Sequence, residues 1–183
     1  MKELSLNILD IAENSTKAKA EFVKIEIIED TDSLTIRISD DGTGMTNDTL
    51  MSVTDPFYTT RTTRKVGMGI PLFRFAAEQT GGTLTIVSKH IDQYPDDHGT
   101  VVTATFNKTH IDFTPLGDVI LTVTTLIQGH PNVDFLFTHN ILGEHILLDT
   151  RDVRAVLEDV PIDTFEVLLW IRDNLKEQYD AIK

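Results

Sequence analysis

The chain has 183 residues, of which 40% are hydrophobic, so it can bury a full core in one large domain or in one domain with a small appendage. It contains no cysteine, which excludes disulfides and thiolate metal sites, and no apolar run approaches the ~20 residues of a membrane span. The net charge of −13 disfavours binding to nucleic acid or to anionic lipid. With no apolar signal segment at the N-terminus, we expect a cytoplasmic protein.

The first predicted helix covers residues 4–16 and is mostly apolar, which indicates that it is buried. Asn7, Asp10 and Asn14 nevertheless form one polar stripe on it, at spacings i, i+3 and i+7. Polar groups on a buried helix need partners or face a ligand cavity, and a stripe facing solvent is the alternative. Asn14 offers an amide oxygen of the kind that Mg²⁺ prefers. Asp10, one turn earlier, is placed to orient or deprotonate a water or to support the metal.

A β-hairpin follows, since residues 22–29 and 33–40 alternate between apolar and polar around an acidic turn. Asp40 ends the second strand and can accept a hydrogen bond from an exocyclic amine such as that of adenine. In the turn that follows, Gly42 and Gly44 lack the Cβ atoms that would keep a ligand away from the backbone. An ordinary Asp-Gly turn is the alternative.

A short helix is predicted near residues 46–53, and residues 55–66 form a polar loop. In this loop, Thr59, Thr60 and Arg61 offer two hydroxyls and a guanidinium, which suit phosphate oxygens. A solvated polar loop without a ligand is the alternative.

The segment Gly67-Met68-Gly69 precedes a predicted helix over residues 71–80, and Gly81-Gly82 closes that helix. The free N–H groups and the dipole at such a helix start suit anionic oxygens. The segment is neither a Walker loop nor a dinucleotide fingerprint, because the flanking residues differ. A flexible loop that ends in a helix start is the alternative.

Two further strands are predicted over residues 83–88 and 100–107, and the composition changes near His110. We therefore divide the chain into a domain of residues 1–108 and an acidic α+β extension of residues 109–183, which holds 5 basic and 13 acidic residues. The extension is predicted to contain helices over 117–128, 150–158 and 163–181 and a hairpin of strands 133–139 and 145–149. His139 and His145 flank that hairpin turn, where a metal site is conceivable but a solvated or structural role is commoner.

The order of these motifs resembles the GHKL superfamily of ATP-binding domains, shared by gyrase, heat-shock chaperones, mismatch-repair proteins and histidine kinases. Residues 55–61 look like the Phe-box of nitrogen-regulation-type sensor histidine kinases, and residues 11–15 look more like the Asn-box of the mismatch-repair and gyrase branch. The resemblance covers residues 4–107. It implies an α+β, Bergerat-type two-layer sandwich, in which a mixed sheet is covered by helices and ATP lies beneath a mobile lid. Residues 109–183 would add a helix–hairpin–helix extension.

By position, Asn14 resembles the magnesium-binding Asn of that family and Asp40 its adenine-reading Asp. The resemblance implies a cofactor site for ATP and Mg²⁺ built from Asn14, Asp40, Gly42, Gly44, Met45, Thr59, Thr60, Arg61, Lys65, Gly67, Met68, Gly69 and Thr100. Asp10 stands where hydrolysing members often have a glutamate base, and its shorter side chain disfavours fast hydrolysis. Lys65 stands where the first glycine of the lid motif is expected.

Three functions are compatible with this resemblance. The first is a histidine-kinase-type phosphotransferase that modifies a partner protein, and the second is a slow ATPase in which lid closure drives a conformational cycle. The third is a non-catalytic ATP-sensing module whose acidic extension docks a partner protein. No phosphoacceptor histidine domain precedes the first helix, so we expect the chain not to be a complete sensor kinase. Expected partners are ATP and a protein, with no nucleic acid and no membrane.

Overall fold

The computed structural model describes residues 2–54 and 69–182, which form alternating helices and strands. In chain order the elements are α1 (Leu4–Lys17), β1 (Phe22–Glu29), β2 (Ser33–Asp40), α2 (Asn47–Thr54), α3 (Gly69–Gln79), β3 (Thr83–Lys89), β4 (Gly99–Asn107), α4 (Val119–Gly129), β5 (Asp134–Ile141), β6 (Glu144–Asp149), α5 (Thr150–Leu157) and α6 (Phe165–Ile182). The predicted order of helices and strands is confirmed over these ranges. None of the helices there combines the length and the apolar character that crossing a membrane requires.

The strands of the described residues form one mixed sheet in the order β3-β4-β2-β1-β5-β6. Neighbouring strands are antiparallel except for β1 and β5, which run parallel. In the pairing of β2 with β4, Asp40 lies opposite Thr100. The strand register therefore brings these two predicted site residues to the same end of the sheet.

One face of the sheet carries the core, as the alternating pattern predicts. Val23, Ile25 and Ile27 on β1 are buried together with the corresponding residues of β2. Helices α1, α3, α4 and α6 pack against the sheet and against one another. The intervening residues of the strands lie on the other face, where Glu26 pairs with Lys24 and Arg37. This is the predicted two-layer α+β sandwich.

The C-terminal strands belong to this same sheet. Strand β5 pairs with β1 along its whole length, from Phe22 opposite Asp134 to Glu29 opposite Ile141. At the other end of α1, the amides of Leu4 and Ser5 donate to the carbonyls of Pro115 and Leu116 at 2.9 and 2.7 Å. The hairpin predicted for the extension is confirmed, and its attachment to the central sheet was not predicted. The domain boundary between residues 108 and 109 remains a prediction. Backbone hydrogen bonds connect the two predicted parts across it.

Helix α4 begins two residues later than predicted, for a local reason. Gly117 has a φ of +81°, which no helical residue adopts. Asp118 then caps the helix, since its carboxylate accepts the amide hydrogen of Leu121 at 2.8 Å. The helix therefore starts at Val119.

Candidate functional site

A cavity of about 150 Å³ opens between α1 and the ends of β2 and β4. Its lining is mostly apolar with a few polar groups, and all of the lining residues lie between positions 11 and 102. The lining residues are Ile11, Asn14, Ser15, Ala18, Ile38, Asp40, Gly44, Met45, Val53, Ile70, Thr100 and Val102. The structure thus brings together five of the predicted site residues, namely Asn14, Asp40, Gly44, Met45 and Thr100.

Asp40 is the acid of this cavity, and its carboxylate is held by three donors. The Oδ1 atom accepts the amide hydrogens of Gly42 at 3.0 Å and of Thr100 at 3.2 Å. The Oδ2 atom accepts the Ser15 hydroxyl hydrogen at 2.5 Å. Because each carboxylate oxygen can accept two hydrogen bonds, Oδ2 keeps one acceptor position for a ligand.

The charge of Asp40 is costly in this position. Burial raises the pKa of its carboxyl above the ordinary value, although the hydrogen bonds from Ser15, Gly42 and Thr100 act in the opposite direction. The ionised side chain is therefore less stable here than in water. A hydrogen-bond donor on a ligand would relieve part of that cost, which is the chemistry expected of a group that selects an amine.

The glycines of the turn are required by the backbone around them. Gly44 has a φ of +68°, and a Cβ there would lie 2.0 Å from the Lys89 carbonyl oxygen. A Cβ on Gly42 would lie 2.8 Å from the Ala18 carbonyl oxygen. Gly44 lines the cavity, whereas the absence of a side chain at Gly42 lets the turn pass α1. Both glycines are therefore needed for the turn that carries Asp40 and Met45 to pack against Ala18 and Lys89.

Three residues with contacts in this site were not predicted from the sequence. Ser15 lies within the Asn-box segment of residues 11–15 but was given no role there, and its hydroxyl donates to Asp40. The Ser88 hydroxyl accepts the Met45 amide hydrogen at 2.7 Å and lies 2.8 Å from the Thr100 hydroxyl. His98 Nδ1 lies 2.6 Å from the Gly42 carbonyl oxygen. Their roles depend on tertiary contacts, and no local spacing in the sequence signals them.

The three residues of the polar stripe on α1 lie in three different environments. Asn14 is half-buried and lines the cavity, as the stripe predicts. Asp10 is exposed and lies outside the cavity lining, next to the start of α3, where a Cβ on Gly69 would come within 3.0 Å of the Asp10 Cβ. Asn7 is buried, and its Nδ2 atom has no hydrogen-bond partner within residues 2–54 and 69–182. The stripe therefore faces a cavity at one end only.

Helix α3 begins at Gly69, and its first turn borders the cavity through Ile70. The remaining predicted phosphate ligands, Thr59, Thr60, Arg61, Lys65, Gly67 and Met68, lie outside the described residues. Gly69 lies beside Asp10 and Ile70 lines the cavity, so the described N-terminal end of α3 lies next to α1 at this cavity.

The family model for histidine kinase-, DNA gyrase B-, and HSP90-like ATPases matches residues 1–110. The chain belongs to this ATPase family. Residues 1–110 are more than half of the chain, and they include every residue of the cavity lining. The family resemblance expected from the order of the motifs is thereby confirmed.

Solved structures of similar fold are ATPase domains from DNA repair. The Aquifex aeolicus MutL ATPase domain complexed with ADP aligns with a TM-score of 0.55 at 16% identity, over 86% of this chain and 70% of that one. The N-terminal domain of a DNA repair protein aligns with a TM-score of 0.55 at 16% identity, over 81% of this chain and 53% of that one. The alignment with the MutL domain reaches beyond residue 110, so the extension shares part of its fold. No curated protein sequence matches this chain.

The two histidines of the C-terminal hairpin lie on opposite faces of the sheet and do not converge. His139 lies opposite Ile146 on the core face, whereas His145 lies opposite Asn140 on the other face. His139 is hydrogen-bonded to Tyr179 at 2.8 Å and to Glu29 at 3.2 Å. No group of three or more potential metal-ligating side chains occurs within the two described ranges.

Proposed function

We propose that this chain binds ATP with Mg²⁺ in the cavity beside Asp40 and transfers the γ-phosphoryl group to a partner protein. The observation that carries the binding part is the Asp40 carboxylate, which faces an apolar cavity with one acceptor position open. The exocyclic amine of adenine supplies the matching donor. A cavity of about 150 Å³ is smaller than the roughly 300–1,000 Å³ of most ligand pockets. It therefore suits the base alone, with the ribose and phosphates outside.

The ribose and phosphates would leave the cavity between α1 and α3. Asn14 lies on the cavity wall, and the start of α3 lies beside Asp10 one turn earlier on α1. Phosphates placed there would meet the amide N–H groups of α3, and Thr59, Thr60, Arg61 and Lys65 are the proposed further ligands. These groups would position the γ-phosphate and neutralise its charge, which is most of what a protein contributes to phosphoryl transfer.

The donors on α1 fit a magnesium ion. Asn14 and Asp10 offer an amide oxygen and a carboxylate one helical turn apart, both of the oxygen type that Mg²⁺ prefers. Mg²⁺ usually takes only one or two ligands from the protein and the rest from water and phosphate, so a larger protein cluster is not needed. Bound there, the ion would neutralise phosphate charge, Asn14 would hold it, and Asp10 would accept a proton from water or from an acceptor hydroxyl.

Asn14→Ala tests the metal and nucleotide assignment. We expect the magnesium-dependent affinity for ATP in titration calorimetry to be lost, while circular dichroism and thermal unfolding stay close to those of the parent chain. Asn174→Ala is the matched control, since it makes the same change in the middle of α6, remote from the cavity. An unchanged affinity in Asn14→Ala would contradict the assignment.

The fate of the γ-phosphate separates phosphoryl transfer from the second candidate, a slow ATPase that works as a conformational switch. The second candidate is supported by the packing of α1 against α4, which ties the helix carrying Asn14 to the C-terminal part. Radiolabelled ATP is added to the purified chain and then to the chain in a cell extract. Label in a protein of the extract supports transfer. Steady phosphate release by the chain alone, lost in Asp10→Ala, supports hydrolysis, and binding without either supports a sensing module.

A further inference from the structure

A second concave surface lies in the C-terminal part, between α5 and α6. It encloses about 510 Å³, more than three times the volume of the cavity beside Asp40. The groove is lined by Asp152, Val153, Val156, Leu157, Glu166, Val167 and Trp170. Helix α5 packs on β5, while α6 packs on β6 and α4, so the groove follows the divergence of two helices that rest on different elements.

Two apolar side chains of the groove are exposed to solvent. Val156 is 83% exposed and Trp170 is 56% exposed, and both line the same groove. Beneath them, Val153 and Val167 are buried and join the hydrophobic core. Single exposed apolar residues are normal on a protein surface, but a concave apolar patch that includes a tryptophan indicates a binding surface.

The rim of the groove is acidic and has no cations of its own. Asp152 and Glu166 line it, and neither forms an ion pair within residues 2–54 and 69–182. The neighbouring arginines have other partners: Arg151 pairs with Asp149, Arg154 with Asp134 and Arg172 with Asp173. Asp152 also acts electrostatically on the neighbouring Arg151 guanidinium, whereas Glu166 forms no salt bridge among the described residues. The groove therefore combines an apolar floor with an acidic rim.

We propose that the groove between α5 and α6 binds a basic amphipathic helix of a partner protein. The apolar face of such a helix presents anchors at i, i+3, i+4 and i+7, which suit a groove lined by valine, leucine and tryptophan. Lysine or arginine beside those anchors would pair with Asp152 and Glu166. A second copy of this chain is a poor occupant, because residues 109–183 hold 13 acidic and 5 basic residues and would bring like charges together.

This inference deepens the protein-partner part of the proposed function by giving the partner a chemical class. The binding part stands without nucleotide, because no residue of the groove lines the cavity beside Asp40. Peptide binding is therefore measured in the absence of ATP, and ATP affinity is measured separately. Failure of one then leaves the other intact.

Trp170 makes the test direct, because it is the only tryptophan in the chain and it lines the groove. The probe is a synthetic amphipathic peptide about four helical turns long, built from leucine and lysine. We expect the fluorescence of Trp170 to shift to shorter wavelength and to saturate with the full chain. A second peptide with the same leucines and with glutamate in place of lysine should give no shift at matched concentration.

Val156→Lys on α5 and Val87→Lys on β3 form a matched pair, since both change an exposed valine to lysine and Val87 lies at the opposite edge of the sheet. Val156→Lys should lower the affinity for the basic peptide at least tenfold and leave the affinity for ATP unchanged. Val87→Lys should bind the peptide with the affinity of the parent chain. Glu166→Lys should also weaken the basic peptide, with Glu144→Lys as the matched control on β6.

Three results would overturn the proposal. The first is equal affinity for the lysine and glutamate peptides, which would leave no role for the acidic rim. The second is a concentration-dependent dimer in analytical ultracentrifugation that Val156→Lys dissociates, which would identify the occupant as a second copy. The third is a shift of Trp170 emission with phosphatidylcholine vesicles as large as that with the basic peptide, which would identify a lipid surface.

Discussion

The cavity beside Asp40 and the groove between α5 and α6 are both open concave surfaces, but they differ in how their polar and apolar side chains are arranged. In the cavity, the one carboxylate is held by Ser15, Gly42 and Thr100, and a single acceptor position stays free. In the groove, Asp152 and Glu166 form no salt bridge within residues 2–54 and 69–182, and the apolar side chains of Val156 and Trp170 are exposed. A fixed polar group in a small space suits a small molecule, whereas an apolar surface with loose charges suits a macromolecule.

The turn beside the cavity and the hairpin turn of the C-terminal part also differ in how tightly they are packed. At Gly44 the backbone of Lys89 fills the space that a side chain would need, while at Gly143, in the β5–β6 turn, the corresponding space is open. Both glycines have positive φ values, +68° and +98°. The cavity is therefore part of a packed framework, and the C-terminal hairpin turn is a free surface turn.

The largest effect is expected from Gly44→Ala. The new Cβ meets the Lys89 carbonyl oxygen, so we expect a loss of about 3–5 kcal/mol in the free energy of unfolding, the range of severe core changes. Gly143→Ala makes the same change at a positive φ without a clash and should cost only about 1–2 kcal/mol. Urea unfolding of both variants measures the difference. Equal losses would show that the turn beside the cavity is not packed as described.

Asp40→Asn should separate stability from binding. The asparagine Oδ1 can still accept from Gly42 and Thr100, and its Nδ2 can donate to the Ser15 hydroxyl. Because burial raises the pKa of Asp40, removing the charge should keep or raise the melting temperature at neutral pH. The affinity for ATP should fall by about a hundredfold or more, since an amide N–H then faces the adenine amine. Calorimetry that shows parental affinity in this variant would remove Asp40 from the site.

A smaller effect is expected from His139 in the C-terminal part, where burial lowers the pKa of the imidazole although Glu29 acts against that shift and Lys108 adds to it. The folded chain then takes up the proton less readily than the unfolded chain. Stability should be fully present above the ordinary histidine pKa of about 6.5 and should decrease as the pH falls below it, by at most about 1.4 kcal/mol per pH unit.

His139→Gln should flatten this pH dependence between about pH 7.5 and about pH 5.5, as read from urea midpoints. The exposed His145, changed in the same way on β6, serves as the control and should leave the slope of the parent chain unchanged. A slope in His139→Gln that matches the parent would assign the acid sensitivity to other groups.

The smallest effect is expected at a surface contact between α1 and the C-terminal part. The His130 Nε2 atom, after α4, lies 2.8 Å from the Glu13 Oε1 atom on α1, and both side chains are partly exposed. A double-mutant cycle with Glu13→Gln and His130→Gln should give a coupling of about 0.2–1 kcal/mol, because both side chains are partly exposed to solvent. A much larger coupling would mean that this single contact, rather than the packing of α1 on α4, joins the regions.

Much of the fold was predictable because its signals are local. The hairpin of β1 and β2 has the predicted bounds, since strict alternation fixes which residues face the core. The parallel pairing of β5 with β1 was not predictable, because it joins residues more than a hundred positions apart through a connection with no sequence signature. The division of the chain into two parts rested on composition, which does not record hydrogen bonding across a sheet.

The site was predictable only where a residue type and a motif coincide. Asp40 and Asn14 stand in recognisable motifs, and the structure places both on one cavity. The sequence did not predict the contacts of Ser15, next to Asn14, or of Ser88 on β3, because these contacts with Asp40 and Met45 arise from the packing of α1 and β3 around the turn. Asp10 shows the converse, since its position on the stripe does not place it in the cavity beside Asp40.

Titration calorimetry of the parent chain with ATP and with inosine triphosphate, both in the presence of Mg²⁺, tests the central claim most directly. Inosine triphosphate carries a carbonyl where ATP carries the exocyclic amine, and it would present an acceptor to the open position of Asp40. We expect saturable binding of ATP and an affinity for inosine triphosphate at least about a hundredfold lower, because the buried carboxylate would be left unpaired. Equal affinities for the two nucleotides, or no binding of ATP, would contradict the account.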